Sequence, residues 1–144
     1  MGNPFKPDSR GSSTSKVNSY NIGTISSPNG HAGVVGQLYT NGIIENSYNL
    51  GYLGETNMAG IVDSIYTDGN QQLINNYYLN TTATYGILWS KNSNYPTKSN
   101  TGTTPLSREE MPSVISVING DNAFVEDTNN INGGYPILKW QANR

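Results

Sequence analysis

Apolar residues in this chain fall in short clusters set apart by Asn, Ser, Thr and Gly, and the clusters recur. Val17-Asn18-Ser19-Tyr20-Asn21-Ile22-Gly23-Thr24-Ile25 is followed by Ala32-Gly33-Val34-Val35-Gly36. The same order returns in Ile44-Glu45-Asn46-Ser47-Tyr48-Asn49-Leu50-Gly51-Tyr52-Leu53 with Met58-Ala59-Gly60-Ile61-Val62. A more worn copy runs Ile74-Asn75-Asn76-Tyr77-Tyr78 and then Tyr85-Gly86-Ile87-Leu88. A repeat of about 28 residues points to an architecture ahead of any local motif, because such a unit buries its apolar face only against its neighbours. On this alignment Tyr20, Tyr48 and Tyr78 share one position, and Gly33, Gly60 and Gly86 another.

Each copy offers short β-branched runs bounded by Gly, Asn and Pro, the mark of strands. Asn29-Gly30, Asn41-Gly42 and Asp68-Gly69 are turn dipeptides suited to positive φ. Three short strands and three turns per copy predict one coil of a parallel β-helix, with coils about 4.8 Å apart. The expected fold class is an all-β solenoid, a short parallel β-helix of about three coils over residues 17–90 with one short helix and a small C-terminal strand cap. Stacking places Asn18, Asn46 and Asn76 in one column, where amides can bond along the stack, and the three tyrosines in another. The glycines permit a tight corner or a close backbone approach. All of these read as scaffold.

Outside the repeats, residues 1–16 are rich in Pro, Gly and Ser, carry no periodic face and read as a flexible leader or linker. Residues 91–105 break the period and read as a loop. Residues 106–144 hold the one helical signal: Met111, Val114, Ile115 and Ile118 share one helical face. Ser107 with Glu110 predicts a capping box and Asn119-Gly120 a stop. Pro112 removes a backbone donor, so either the helix kinks there or a one-turn Ser107–Glu110 segment precedes a second start. Ala123–Glu126 and Tyr135–Trp140 read as two short strands joined by a turn-rich link. Helix and strands together are expected to close the end of the coil stack, since solenoids need atypical terminal pieces.

Composition agrees with this and narrows the function. Hydrophobic content is 34% and charged content 12%, both below the ~45–50% and ~25% of ordinary globular chains. A formal net charge of -2 gives no electrostatic reason to expect nucleic acid or an anionic membrane as partner. Cysteine is absent, so there is neither a disulfide framework nor a thiolate metal site. No apolar run approaches the ~18 residues of a membrane span. Residues 1–16 lack the apolar core of a signal peptide, so an exported parent would carry its signal elsewhere.

The Gly-Ile-Val type segments alternating with Asn-Ser-Tyr-Asn-x-Gly resemble the GLUG-type repeats of large bacterial surface and secreted proteins. The later part is similar to the segment that ends many such arrays: Asn76-Tyr77-Tyr78-Leu79-Asn80, Met111 with Ser113, Asn119, Ala123-Phe124, and Asn132-Gly133-Gly134-Tyr135-Pro136-Ile137-Leu138-Lys139-Trp140. The resemblance covers residues 17–140 and implies a right-handed β-helix, secreted or on the bacterial cell surface, used for display, adhesion or spacing. The family pattern often has Cys where Ser19 and Ser47 stand. Its association with immunoglobulin-cleaving metallopeptidases does not carry over as activity, because the His-Glu-x-x-His signature is missing.

Chemistry-bearing residues are sparse. His31 is the single histidine and sits beside Gly30 in an expected turn, which supports neither a nucleophilic triad nor a zinc site. No phosphate-binding loop occurs, and no cofactor is called for. Asp127-Thr128-Asn129-Asn130-Ile131-Asn132-Gly133 is oxygen-rich, yet Ile131 stands where a calcium loop needs its fifth ligand, so it reads as an Asx-rich turn. The carboxylates Glu45, Glu55, Asp63 and Asp68 have no Lys or Arg among them between Val17 and Ser90, unlike a polysaccharide-cleaving face. The candidate ligand-binding residues are Tyr39, Tyr52, Tyr66 and Trp89, with Tyr77 nearby in kind. They could form an exposed aromatic strip for sugar stacking or fill the corners of a slim core.

The expected function is a non-catalytic structural, adhesion or display module. The alternatives are a glycan-binding module and a fragment of a glycan-processing β-helix whose catalytic residues lie elsewhere. The expected partners are neighbouring domains of a parent surface protein, a glycan or a host protein, with end-to-end self-association through the coil edges. Nucleic acid and membrane insertion are not expected.

Overall fold

In a computed structural model of the chain, residues 15–27, 30–54, 57–119 and 122–144 are described. The leader up to residue 14, Asn29, Glu55 and Gly120 lie outside them. Strands stack in parallel on three faces, as a β-solenoid of three turns. The first face carries β1 (Ser15–Val17) and β2 (Tyr20–Asn21), then β5 (Ile43–Asn49), β8 (Gln72–Leu79) and β10 (Thr103–Leu106). The second pairs β3 (His31–Ala32) with β6 (Met58–Ala59). The third stacks β4 (Val35–Leu38), β7 (Val62–Ile65) and β9 (Ile87–Ser90).

The register corrects the expected alignment of the third copy by one residue. Tyr20 lies opposite Tyr48, but Tyr48 lies opposite Tyr77, and Tyr78 falls opposite Asn49. The asparagine column is therefore Asn18, Asn46 and Asn75, not Asn76. All three adopt left-handed backbone, with φ of 54°, 51° and 54°, a region Asn tolerates better than most residues. Alternation along a strand would place Ile44 and Tyr48, four residues apart, on the same side. Instead Ile44 packs in the lumen and Tyr48 outside it. The left-handed Asn46 reverses the alternation, and Asn75 does the same between Leu73 inside and Tyr77 outside. An amide link along the column does exist, Asn75 Nδ2 donating to Asn46 Oδ1 at 3.2 Å, but the repeat needs Asn first for its backbone. Asn76 joins another column, accepting the Ser47 N–H at 3.2 Å while its Nδ2 donates to the Ile44 carbonyl at 2.8 Å.

The lumen holds Leu38, Ile44, Leu53, Ile61, Val62, Ile65, Leu73, Tyr78 and Ile87, closely packed. Its slimness explains two of the repeated glycines. A Cβ on Gly60 would stand 2.3 Å from the Tyr78 ring, and one on Gly33 would stand 2.4 Å from the Asn49 side chain. Close approach, not a corner, is the reason for glycine there. The third copy slips here too, since Val62 pairs with Ile87 and Gly86 falls level with Ile61.

Residues 91–105 are not simply a loop. Their end forms β10, which pairs with β8 and can carry Pro105 because its other side is an edge. Residues 91–102 fold back across the far end of the lumen. Ser99 and Ile87 exchange backbone bonds of 3.0 and 3.2 Å, and the Tyr95 hydroxyl accepts the Leu73 N–H at 3.2 Å. Asn100 Oδ1 accepts the Tyr78 hydroxyl and the Gly86 N–H, each at 2.8 Å.

With the end already plugged, the C-terminal segment goes elsewhere than expected. It lies along the outer side of the first face, because Tyr48, Leu79 and partly buried Leu50 and Tyr77 turn outward there and need covering. The Ser107/Glu110 capping box forms, with bonds of 2.9 and 3.2 Å. A 3-10 turn over Met111–Val114 then takes up Pro112, and α1 (Ile115–Ile118) follows. Met111, Val114 and Ile118 are buried against the first face. β11 (Phe124–Val125) and β12 (Ile137–Leu138) close an antiparallel hairpin beside them.

Candidate functional site

Three of the four candidate aromatics come together where the third face turns toward the first. Tyr39 and Tyr66 follow paired residues Leu38 and Ile65, and their rings stack with centroids 5.5 Å apart and planes 12° from parallel. Trp89, from β9, approaches Tyr66 at 5.5 Å with its plane tilted by 57°. Lys91 Nζ stands 6.0 Å over the indole. A polar column runs alongside, with Thr40 Oγ1 donating to Thr67 Oγ1 at 2.9 Å. Gln71 Nε2 donates to that same Thr67 oxygen at 2.7 Å, and Asn92 Nδ2 donates to Gln71 Oε1 at 2.6 Å.

Tyr52 does not join the column. It is 53% exposed and follows the first face, whose seven-residue strand β5 separates the two corners by about 20 Å at ~3.3 Å per residue. Its neighbour in the preceding coil is Thr24, since the Ile25 N–H bonds the Tyr52 carbonyl at 2.9 Å. A column needs an aromatic in successive copies, and that test on the repeat would have set Tyr52 aside. Tyr77 is also elsewhere, half-buried under the C-terminal segment.

The geometry limits what the column can do. Sugars stack on ring faces, but Tyr39 and Tyr66 each turn one face on the other. Trp89, at 39% exposure, is the one ring whose plane breaks the stack.

Other polar groups are spent on the fold. His31 is buried in β3 rather than loose in a turn, its Nε2–H donating to the Leu53 carbonyl and tying the first coil to the second. Asp127 accepts backbone N–H groups of Ile131, Asn132 and Gly134 at 2.7, 2.6 and 3.0 Å. Desolvation pushes its carboxyl up, but the three donors together outweigh that and hold it below the usual carboxylate value. This carboxylate organises the Asx-rich hairpin link by gathering amides four, five and seven residues further on. Asp63 accepts the Ser64 hydroxyl at 3.1 Å. A cleft of about 370 Å³ opens where the third coil brings no strand to the second face, lined by Asn57, Asn80, Thr81, Thr84, Tyr85 and Lys98 among others. Its lining offers hydrogen bonds and one cation. Among the described residues no three of His, Asp and Glu gather as metal ligands would.

No family model, curated protein or solved structure matches the chain.

Proposed function

We propose that this protein is a non-catalytic structural module, a short rigid spacer or display element. One observation carries the reading: the conspicuous side chains of each coil are engaged by those of the next. Tyr39 stacks on Tyr66, Tyr20 on Tyr48, and Thr40 bonds Thr67. A surface that spends its aromatic faces on its own stack is built to hold shape. Placement in a bacterial secreted or cell-surface protein rests on the resemblance to GLUG-type repeats.

A glycan-binding reading keeps one support, the tilted and part-exposed Trp89 at the end of the column. A glycan array with Trp89→Ala and Tyr66→Ala controls separates the two. The structural reading expects no retained glycan and a loss of about 0.5–1.5 kcal/mol on Tyr66→Ala, the scale of an aromatic pair. A glycan signal that Trp89→Ala abolishes while leaving the melting temperature unchanged would establish binding instead.

A further inference from the structure

The third coil cuts a corner that the second takes in full. Tyr48 and Val62 bracket the second face in the second coil, and their partners Tyr77 and Ile87 bracket it in the third with four residues fewer. The chain turns at Thr82, whose N–H and hydroxyl both bond the Leu79 carbonyl, at 2.9 and 2.7 Å. It rejoins the stack where the Tyr85 carbonyl accepts the Gly60 N–H at 2.8 Å. β6 is left without a third-coil neighbour, and the gap is the cleft of about 370 Å³.

A void left by a shortened coil needs no ligand, and apolar side chains would fill it most simply. This one is lined otherwise. Asn57, Asn80, Thr81, Thr84 and Tyr85 bring amides and hydroxyls to it, while Leu88 adds apolar surface. Elsewhere such groups are spent on neighbouring coils. None of these five side chains bonds another described residue.

Lys98 adds a second, independent observation. Among the described residues eight non-glycine positions take left-handed backbone, and seven of them carry Asn. The eighth is Lys98, at φ 53°, a conformation that suits Asn better than Lys. Its N–H bonds the Leu88 carbonyl at 3.1 Å, and the Ser99–Ile87 bonds beside it hold this segment against β9. What Lys brings to such a position is its ammonium. It lines the cleft with no carboxylate in the lining and no ion pair among the described residues.

We propose that the cleft binds a sugar acid, a pyranose unit whose carboxylate pairs with the Lys98 ammonium and whose hydroxyls meet the amides and hydroxyls around it. Side-chain amides and hydroxyls both donate and accept, as a ring of hydroxyls requires. A single Lys is a point charge that matches a single carboxylate. A peptide adding to the open edge is a poorer fit, since β6 offers it only two residues. The volume lies at the lower end of the ~300–1,000 Å³ of small-molecule sites. One ring and one charge set the affinity at about 1 mM, weaker than a washed array retains. The site adds a ligand to the spacer and uses no part of the Trp89 column.

The test is a titration of the full chain with glucuronate, followed through its backbone amides by nuclear magnetic resonance. Amides of residues 57–58, 80–85 and 98 should shift saturably. Glucose and acetate, which each carry one part of the ligand's chemistry, should bind at least about ten-fold more weakly. Lys98→Asn should keep or raise the melting temperature, because Asn suits the backbone, yet weaken glucuronate about ten-fold. Lys98→Gln serves if that variant does not fold. Lys139→Asn removes an exposed charge from the C-terminal segment and should leave binding unchanged. No shift at about ten times the expected dissociation constant, equal binding of acetate or glucose, shifts confined to other parts of the chain, or undiminished binding without the Lys98 ammonium would each overturn the proposal.

Discussion

Tyr48 and Tyr78 are both fully buried, yet they belong to different interiors. Tyr78 lies in the lumen against Gly60, its one hydroxyl proton shared between Asn100 Oδ1 at 2.8 Å and the Thr84 carbonyl at 3.0 Å. Tyr48 lies outside, tilted on Phe124 at 6.0 Å, donating to the Pro136 carbonyl and accepting from Asn132 Nδ2 at 3.0 Å. The lumen is made by the repeat from itself, with only its far end closed by residues 91–102. The flank is made by laying a non-repeating segment over the repeat. The first depends on register between neighbouring coils, and the second on contacts spanning 84 and 88 residues of chain.

Truncating each tyrosine is the strongest way to break this comparison. Tyr78→Ala should cost about 3–5 kcal/mol, the range for large aromatic truncation in a core, and should speed hydrogen exchange on all three faces. Tyr48→Ala should release amides of residues 111–138 while β7 and β9 keep their protection. Equal loss of protection everywhere in both variants would show one interior, not two.

The left-handed asparagines separate the interiors, so the next test falls on them. Asn46→Ala should cost about 1–2 kcal/mol, the steric penalty of that conformation for an L-residue. Asn46→Gly should cost only a few tenths, as glycine enters the region freely. Equal losses in a denaturant series would mean that the amide, not the backbone, carries the position.

The smallest effects come from pH, and they should differ between the interiors. Burial pushes the Tyr78 phenol up to about 12 from an ordinary 10, with the hydrogen bond it shares with Asn100 acting the other way. The stability this represents is full below pH 10 and is lost as pH rises toward 12. Burial also pushes Tyr48 up, so base loosens both interiors. Asp127 has the opposite sign. Its contribution is present above the ordinary carboxyl value of 3.8 and is lost as pH falls through its lowered folded value. Acid should therefore loosen the hairpin link before the lumen, as nuclear magnetic resonance of Gly134 and Gly60 amides would report.

The solenoid, its coil count, the capping box and the C-terminal hairpin were legible because each is written in local spacing. The one-residue slip was not, since Asn75-Asn76-Tyr77-Tyr78 doubles both marker residues and fits two alignments equally well. β10 was hidden by Pro105, which an edge strand accepts and an inner strand would not. The flank was hidden by the reversal at Asn46: period-two reading sends Tyr48 inward, leaving no outer apolar face for the C-terminal segment to cover. Of the aromatic candidates, Tyr39 and Tyr66 were legible as one repeat position, whereas the tilt of Trp89 depends on how three rings meet.

One bond between the chain's extremes has a consequence for how the molecule comes apart. The Tyr20 hydroxyl donates to Gln141 Oε1 at 2.8 Å, across 121 residues, and Gln141 also accepts the Leu138 N–H at 2.9 Å. A repeat array ordinarily peels from an end, one unit at a time, because each unit knows only its neighbours. Here the last turn of the chain is fastened to the first coil, like a strap buckled over a stack of plates. The first coil and the strap hold each other, so the near end should fray less readily than the end of a free array, and Tyr20→Phe should speed amide exchange in both.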